Sequence, residues 1–85
     1  MLLIYNNNMN NEYKVEKDKI RVLIKSLVTM ENMTLTKLKI LINHKFDKTD
    51  SLENLTNKLR NKTIKTTELI EIFDVLGYDL IVRKK

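Results

Sequence analysis

The stretch Asp50-Ser51-Leu52-Glu53-Asn54-Leu55-Thr56-Asn57-Lys58-Leu59-Arg60 decides how this 85-residue chain is read. Leucines at 52, 55 and 59 recur at the i, i+3, i+7 spacing that lines one face of an α-helix. Asp50 with Glu53 three residues later is a variant of the capping box, so the helix is expected to start there. Off the leucine stripe lie Asn54, Thr56, Asn57, Lys58 and Arg60. An asparagine amide can pair with adenine, Lys and Arg reach guanine edges or phosphates, and Thr contacts phosphate oxygens. A leucine-backed helix with that outer face has the chemistry of a major-groove reader. A solvated surface that happens to be basic is the bland alternative.

Outward from this segment, the flanks are helical too. Ile20, Leu23, Ile24, Leu27 and Val28 form an amphipathic stripe that predicts a helix over residues 13–32. Thr34 is placed to cap a second helix, whose inner face is Leu35, Leu38, Leu41 and Ile42 and which fades over residues 43–46. Residues 47–50 read as a loop. After a linker at 61–65, a fourth helix over residues 66–76 buries Leu69, Ile72, Phe73 and Leu76, and the single glycine, Gly77, sits where a left-handed residue would stop it. Residues 78–83, rich in β-branched and aromatic side chains, read as one short strand. Residues 1–12 stand apart, an apolar Met1-Leu2-Leu3-Ile4-Tyr5 running into an asparagine tract. Either residues 2–5 are a short strand, or Met9 is the natural start and residues 1–8 are an accidental extension. The expected fold class is all-α: a compact bundle of four to five helices with a helix-turn-helix in residues 13–85. A C-terminal strand at 78–83 and an N-terminal extension at 1–12, strand or disordered, complete it.

With no proline and one glycine, the chain has few backbone reasons to turn sharply, which favours helices over hairpins. The absence of cysteine excludes disulfides and zinc–thiolate sites and fits a reducing, cytoplasmic setting. Residues 1–5 are too short for a membrane span or a signal peptide. His44 is the only histidine, no carboxylate pair sits among apolar residues, and a single glycine precludes a glycine-rich phosphate loop. No catalytic residue, metal, cofactor or small-molecule ligand is therefore expected. The net charge of +5 suggests an anionic partner. Its distribution is uneven: no acid lies between Glu31 and Asp47 or between Glu53 and Glu68, whereas Glu68, Glu71, Asp74 and Asp79 follow with no base before Arg83. One end of the molecule is expected to be positive and another negative.

Three motifs occur in order: Met33-Thr34-Leu35-Thr36-Lys37-Leu38, then Asn54-Leu55-Thr56-Asn57-Lys58-Leu59, then Leu76-Gly77-Tyr78. Together they resemble the Cro/repressor-type (XRE-like) helix-turn-helix family over residues 17–82. In small members, Met-Thr-x-x-x-Leu opens the second helix and Asn-Leu-Ser-Asn-Lys-Leu begins the recognition helix. Two features depart from that pattern: the connector at 43–49 is long and lacks glycine, and Lys39 or Ile40 replaces the usual alanine of the second helix. The resemblance implies a small double-stranded DNA-binding transcriptional regulator, of a phage or other mobile element. It implies base contacts by Asn54, Asn57 and Lys58. It implies phosphate contacts by Thr36 and Lys37, by Arg60, and by Lys62, Thr63 and Lys65 just past the recognition helix. Residues 80–82 could pair with residues 2–5 or with their twin in a second subunit, and a homodimer through this terminal region is expected, because palindromic half-sites suit two-fold symmetry. A protein-interaction module of the antitoxin or anti-repressor type is the alternative on the same frame.

Overall fold

The leucine periodicities become four α-helices in the computed structural model, which describes residues 1–84. They are α1 (Ile20–Met30), α2 (Leu35–Phe46), α3 (Leu52–Asn61) and α4 (Thr66–Val75). Three strands accompany them: β1 (Leu2–Asn6), β2 (Asn11–Lys14) and β3 (Asp79–Val82). All three pair antiparallel in the order β2-β1-β3, with Ile4 opposite both Tyr13 and Leu80. The domain is therefore mixed α and β, not the all-α bundle expected from periodicity. Residues 1–12 are no appendage, since they supply the central strand, and the division between Glu12 and Tyr13 runs through β2.

The discrepancy has a physical origin. A strand of four or five residues offers only two or three inward positions, too few for its alternation to stand out. Tyr13 and Val15 alternate with Lys14 in the manner of a strand, yet they directly precede the α1 stripe and merge with it in sequence. Helix α1 begins only at Ile20, after a 3₁₀ turn at Lys17–Lys19. The asparagine tract is the hairpin loop between β1 and β2. Asn6 Oδ1 accepts the backbone N–H groups of Asn8 and Met9 at 2.9 and 3.1 Å, and Asn10 takes φ 56°. Asn is suited to both tasks, mimicking a backbone turn and tolerating left-handed φ.

One face of the sheet closes the helical core. Ile4 and Val15 join Ile24, Leu27 and Val28 of α1, Leu38 and Ile42 of α2, Leu55 and Leu59 of α3, and Leu69, Ile72 and Phe73 of α4. The stripes read from the sequence are thus the buried faces, except that Leu41 and Leu52 stay half-exposed and outside the cluster. Each helix stops at a left-handed residue: Asn32, Asp47, Lys62 and Gly77, with φ of 53°, 52°, 58° and 88°. After α4 the Tyr78 N–H reaches the Phe73 carbonyl at 2.8 Å and the Gly77 N–H reaches Asp74 at 3.1 Å. This Schellman pair satisfies carbonyls that the helix leaves open. Gly77 plays the role expected of it. Asn and Asp tolerate this conformation, but Lys62 adopts it at a steric cost of roughly 1 kcal/mol.

Candidate nucleic-acid interface

Helices α2 and α3 meet across a turn of five residues, 47–51, because α2 runs on to Phe46. The long connector expected at 43–49 is therefore mostly helix. Ser51, not Asp50, caps α3: its hydroxyl accepts the Asn54 N–H at 3.1 Å. Asp50 is freed for another task. Its Oδ1 accepts from Asn54 Nδ2 at 2.8 Å and its Oδ2 from Lys39 Nζ at 3.1 Å. The Asp50 backbone carbonyl accepts Asn43 Nδ2 at 2.7 Å, and Lys58 Nζ lies 4.0 Å from Oδ2. Two side chains of α2 and two of α3 thus converge on one turn residue. Lys39 is only 7% exposed, so its charge needs this partner. The hydrogen bonds from Asn54 and Lys39 hold the Asp50 carboxyl down at about 2 against an ordinary 3.8. The α2–α3 crossing is thus held by a charged lock on the turn between the helices.

The opening turn of α2 is set as expected, with Thr34 Oγ1 accepting the Lys37 N–H at 3.1 Å. Thr36 and Lys37 are exposed in that turn. On α3, Glu53, Asn54, Arg60 and Asn61 are exposed and Asn57 is half-buried. Asn57 Oδ1 accepts from Arg60 Nη2. Lys58 leaves this face. Its ammonium lies 2.8 Å from Glu68 Oε2, so it bridges α3 to α4 rather than projecting with Asn54 and Asn57. The pair raises the Lys58 pKa. Burial pushes Glu68 up, but the Lys58 ammonium and the Lys65 N–H together bring it below the usual carboxylate range. Its other oxygen accepts that Lys65 N–H at 3.2 Å and so caps α4. Arg60, Lys62, Thr63 and Lys65 are all exposed, and Lys62 reaches Asp18 at 3.1 Å.

The expectation of one basic and one acidic end is corrected by the ion pairs. Each acid of α4 takes a lysine from an earlier element: Glu68 takes Lys58, Glu71 takes Lys48, and Asp74 takes Lys45. The acidic helix is neutralised by the basic segments that pack on it. Among the described residues Lys37, Arg60, Lys65 and Lys84 remain without an acidic partner, as do Lys17, Arg21 and Lys25 on the α1 side. The Asp50 lock is not among the features that sequence reading singles out. Its signal is Lys39, a cation four residues after Leu35 and three before Ile42 on the apolar face of α2, which demands a nearby anion.

No helix among the described residues is long and apolar enough to cross a membrane, and no three His, Cys, Asp or Glu side chains gather as metal ligands. No protein-family model, curated protein or solved structure shows a significant match to the chain.

Proposed function

We propose that this protein binds double-stranded DNA sequence-specifically through α2 and α3, acting as a small transcriptional regulator. The observation that carries this reading is that three of the cations left unpaired stand together with Asn54 and Asn57 on or beside α2 and α3; the others lie on the α1 side and at Lys84. Lys37 lies in the opening turn of α2, Arg60 on the outer face of α3, and Lys65 just before α4. These are positions from which a helix-turn-helix grips phosphates on either side of the groove. Asn54 and Asn57 then face base edges, with Thr36, Lys62 and Thr63 adding phosphate contacts. Lys58 acts in this scheme by fixing α3 against α4 rather than by reading bases.

A homodimer through the terminal strands belongs to the same proposal, and an edge strand of the sheet supports it. β3 pairs with β1 on one side only, so its other edge offers unpaired backbone groups. Antiparallel pairing of two β3 strands would join two three-stranded sheets across a two-fold axis. Selection from a random duplex library tests both parts together. A pair of inverted half-sites at a fixed spacing is the expected outcome, and a pool without enrichment defeats the DNA reading. The competing reading, a protein-interaction module of the antitoxin or anti-repressor type, draws on the same free edge, where Val82 is 82% exposed.

A further inference from the structure

Beside the end of α3, a groove of about 580 Å³ opens between the start of α1 and the α3–α4 linker, with Thr66 and Leu69 of α4 in its lining. Its size falls within the range of small-molecule sites. The floor is apolar, built from Leu2, Val15, Ile20, Leu59, Ile64 and Leu69. The rim is cationic, with Lys17, Arg21, Arg60 and Lys62 set against one acid, Asp18. Lys17, Arg21 and Arg60 have no acidic partner among the described residues. Lys62 pairs with Asp18 at 3.1 Å, both side chains being more than half exposed, so this contact is worth little in water.

We infer that the groove binds a small amphiphilic organic acid, its apolar body on the leucine and isoleucine floor and its carboxylate at the rim. Charge complementarity selects this occupant. An apolar floor alone would accept a neutral hydrocarbon, but several uncompensated cations at its mouth favour an anion. Arg21 carries the planar fork that holds a carboxylate bidentately, while Arg60, with Nη2 on Asn57 Oδ1, adds its charge. Asp18 is the internal competitor, because a bound carboxylate takes over its place beside Lys62. The inference stands without DNA binding. Its regulatory consequence rests on the DNA reading: Arg60 and Lys62 also belong to the proposed phosphate-contacting set, so the acid and the duplex would compete for them.

The test is titration of the full chain, without DNA, with decanoate below its micelle concentration, followed by amide chemical shifts. Saturable shifts confined to Leu2 and its neighbours in β1 and to residues 15–22 and 59–69 are expected. Decanol should bind about tenfold more weakly, since a hydrogen-bonded charge contact is lost. Two substitutions at exposed positions should act in opposite directions. Arg21→Glu weakens decanoate about tenfold or more, whereas Asp18→Asn tightens it several-fold. Opposite signs cannot come from a general loss of fold. The inference is overturned if shifts do not saturate, if they fall outside the groove, or if decanol binds as well as decanoate. Association with phosphatidylglycerol vesicles but not with free decanoate also overturns it. Decanoate binding without any duplex binding would leave this site intact and remove only the DNA reading.

Discussion

Asp50→Asn is the most informative single change, because it removes the charge of the α2–α3 lock while keeping its shape. An Asp50 carboxyl held at about 2 rather than 3.8 represents roughly 2 kcal/mol of preference for the charged form. About a quarter of the side chain is in solvent, at 26% exposure, and screening brings the expected loss of stability to about 1–2 kcal/mol. For a domain of this size that lowers the melting temperature by about 5–10 °C. The sign of the pH dependence follows from a depressed carboxyl. The stabilisation is fully present above the unfolded-state value near 3.8 and is lost as pH falls through about 2. Urea unfolding of both proteins from pH 7 down to pH 2.5 should therefore show a constant gap above about pH 4 that narrows below it. Adding Lys39→Met to Asp50→Asn should recover part of the loss, since no charge then remains buried at the crossing. Equal stabilities at pH 7, within about 0.3 kcal/mol, or a gap that ignores pH, would refute the lock.

Further perturbations probe the rest of the molecule. Lys62 stops α3 at φ 58°, so Lys62→Gly should be more stable than Lys62→Ala by about 1 kcal/mol; both lose the Asp18 pair, and equal stability would mean the backbone is not strained. Ile4 is fully buried in the central strand, and Ile4→Ala should cost about 2–5 kcal/mol in urea unfolding. Removing residues 1–8 should abolish the cooperative melt altogether, and an unaltered transition would contradict the sheet. Asn57→Ala should change which sequences are enriched in duplex selection. Lys37→Ala should weaken all duplexes alike and lower the salt slope by about 1, whereas Lys58→Met should appear mainly as lost stability.

Much of the helical framework is legible in the sequence because each helix presents at least two turns of apolar repeat. The caps at Thr34 and Gly77 are legible for a similar reason: a hydroxyl just before an apolar run can satisfy open N–H groups, and a lone glycine just after one can take the left-handed stop. The sheet is legible only in part: residues 2–5 and 78–83 read as short strands that could pair, as β1 and β3 do, but β2 is hidden because Tyr13 and Val15 merge with the α1 stripe. At the candidate interface, residue types are readable but orientations are not. Lys58 and Asn57 are adjacent in sequence, and only the position of Glu68 on α4 turns Lys58 away from the outer face. α2 ends at Phe46, within the stretch over which it is expected to fade, and α3 starts one residue later than a cap at Asp50 implies. Asp50 resembles a cap in sequence, and its bonds to Lys39 and Asn54 depend on the helix crossing itself.

The central claim, duplex DNA binding through α2 and α3, is tested most directly by fluorescence anisotropy of the purified protein on a labelled duplex across a salt series. Binding is expected at low salt, with the logarithm of affinity falling linearly as the logarithm of salt concentration rises, because phosphate contacts displace condensed counterions. A shallower line is expected for Lys37→Ala. Absence of binding at low salt, or affinity indifferent to salt, would contradict the claim.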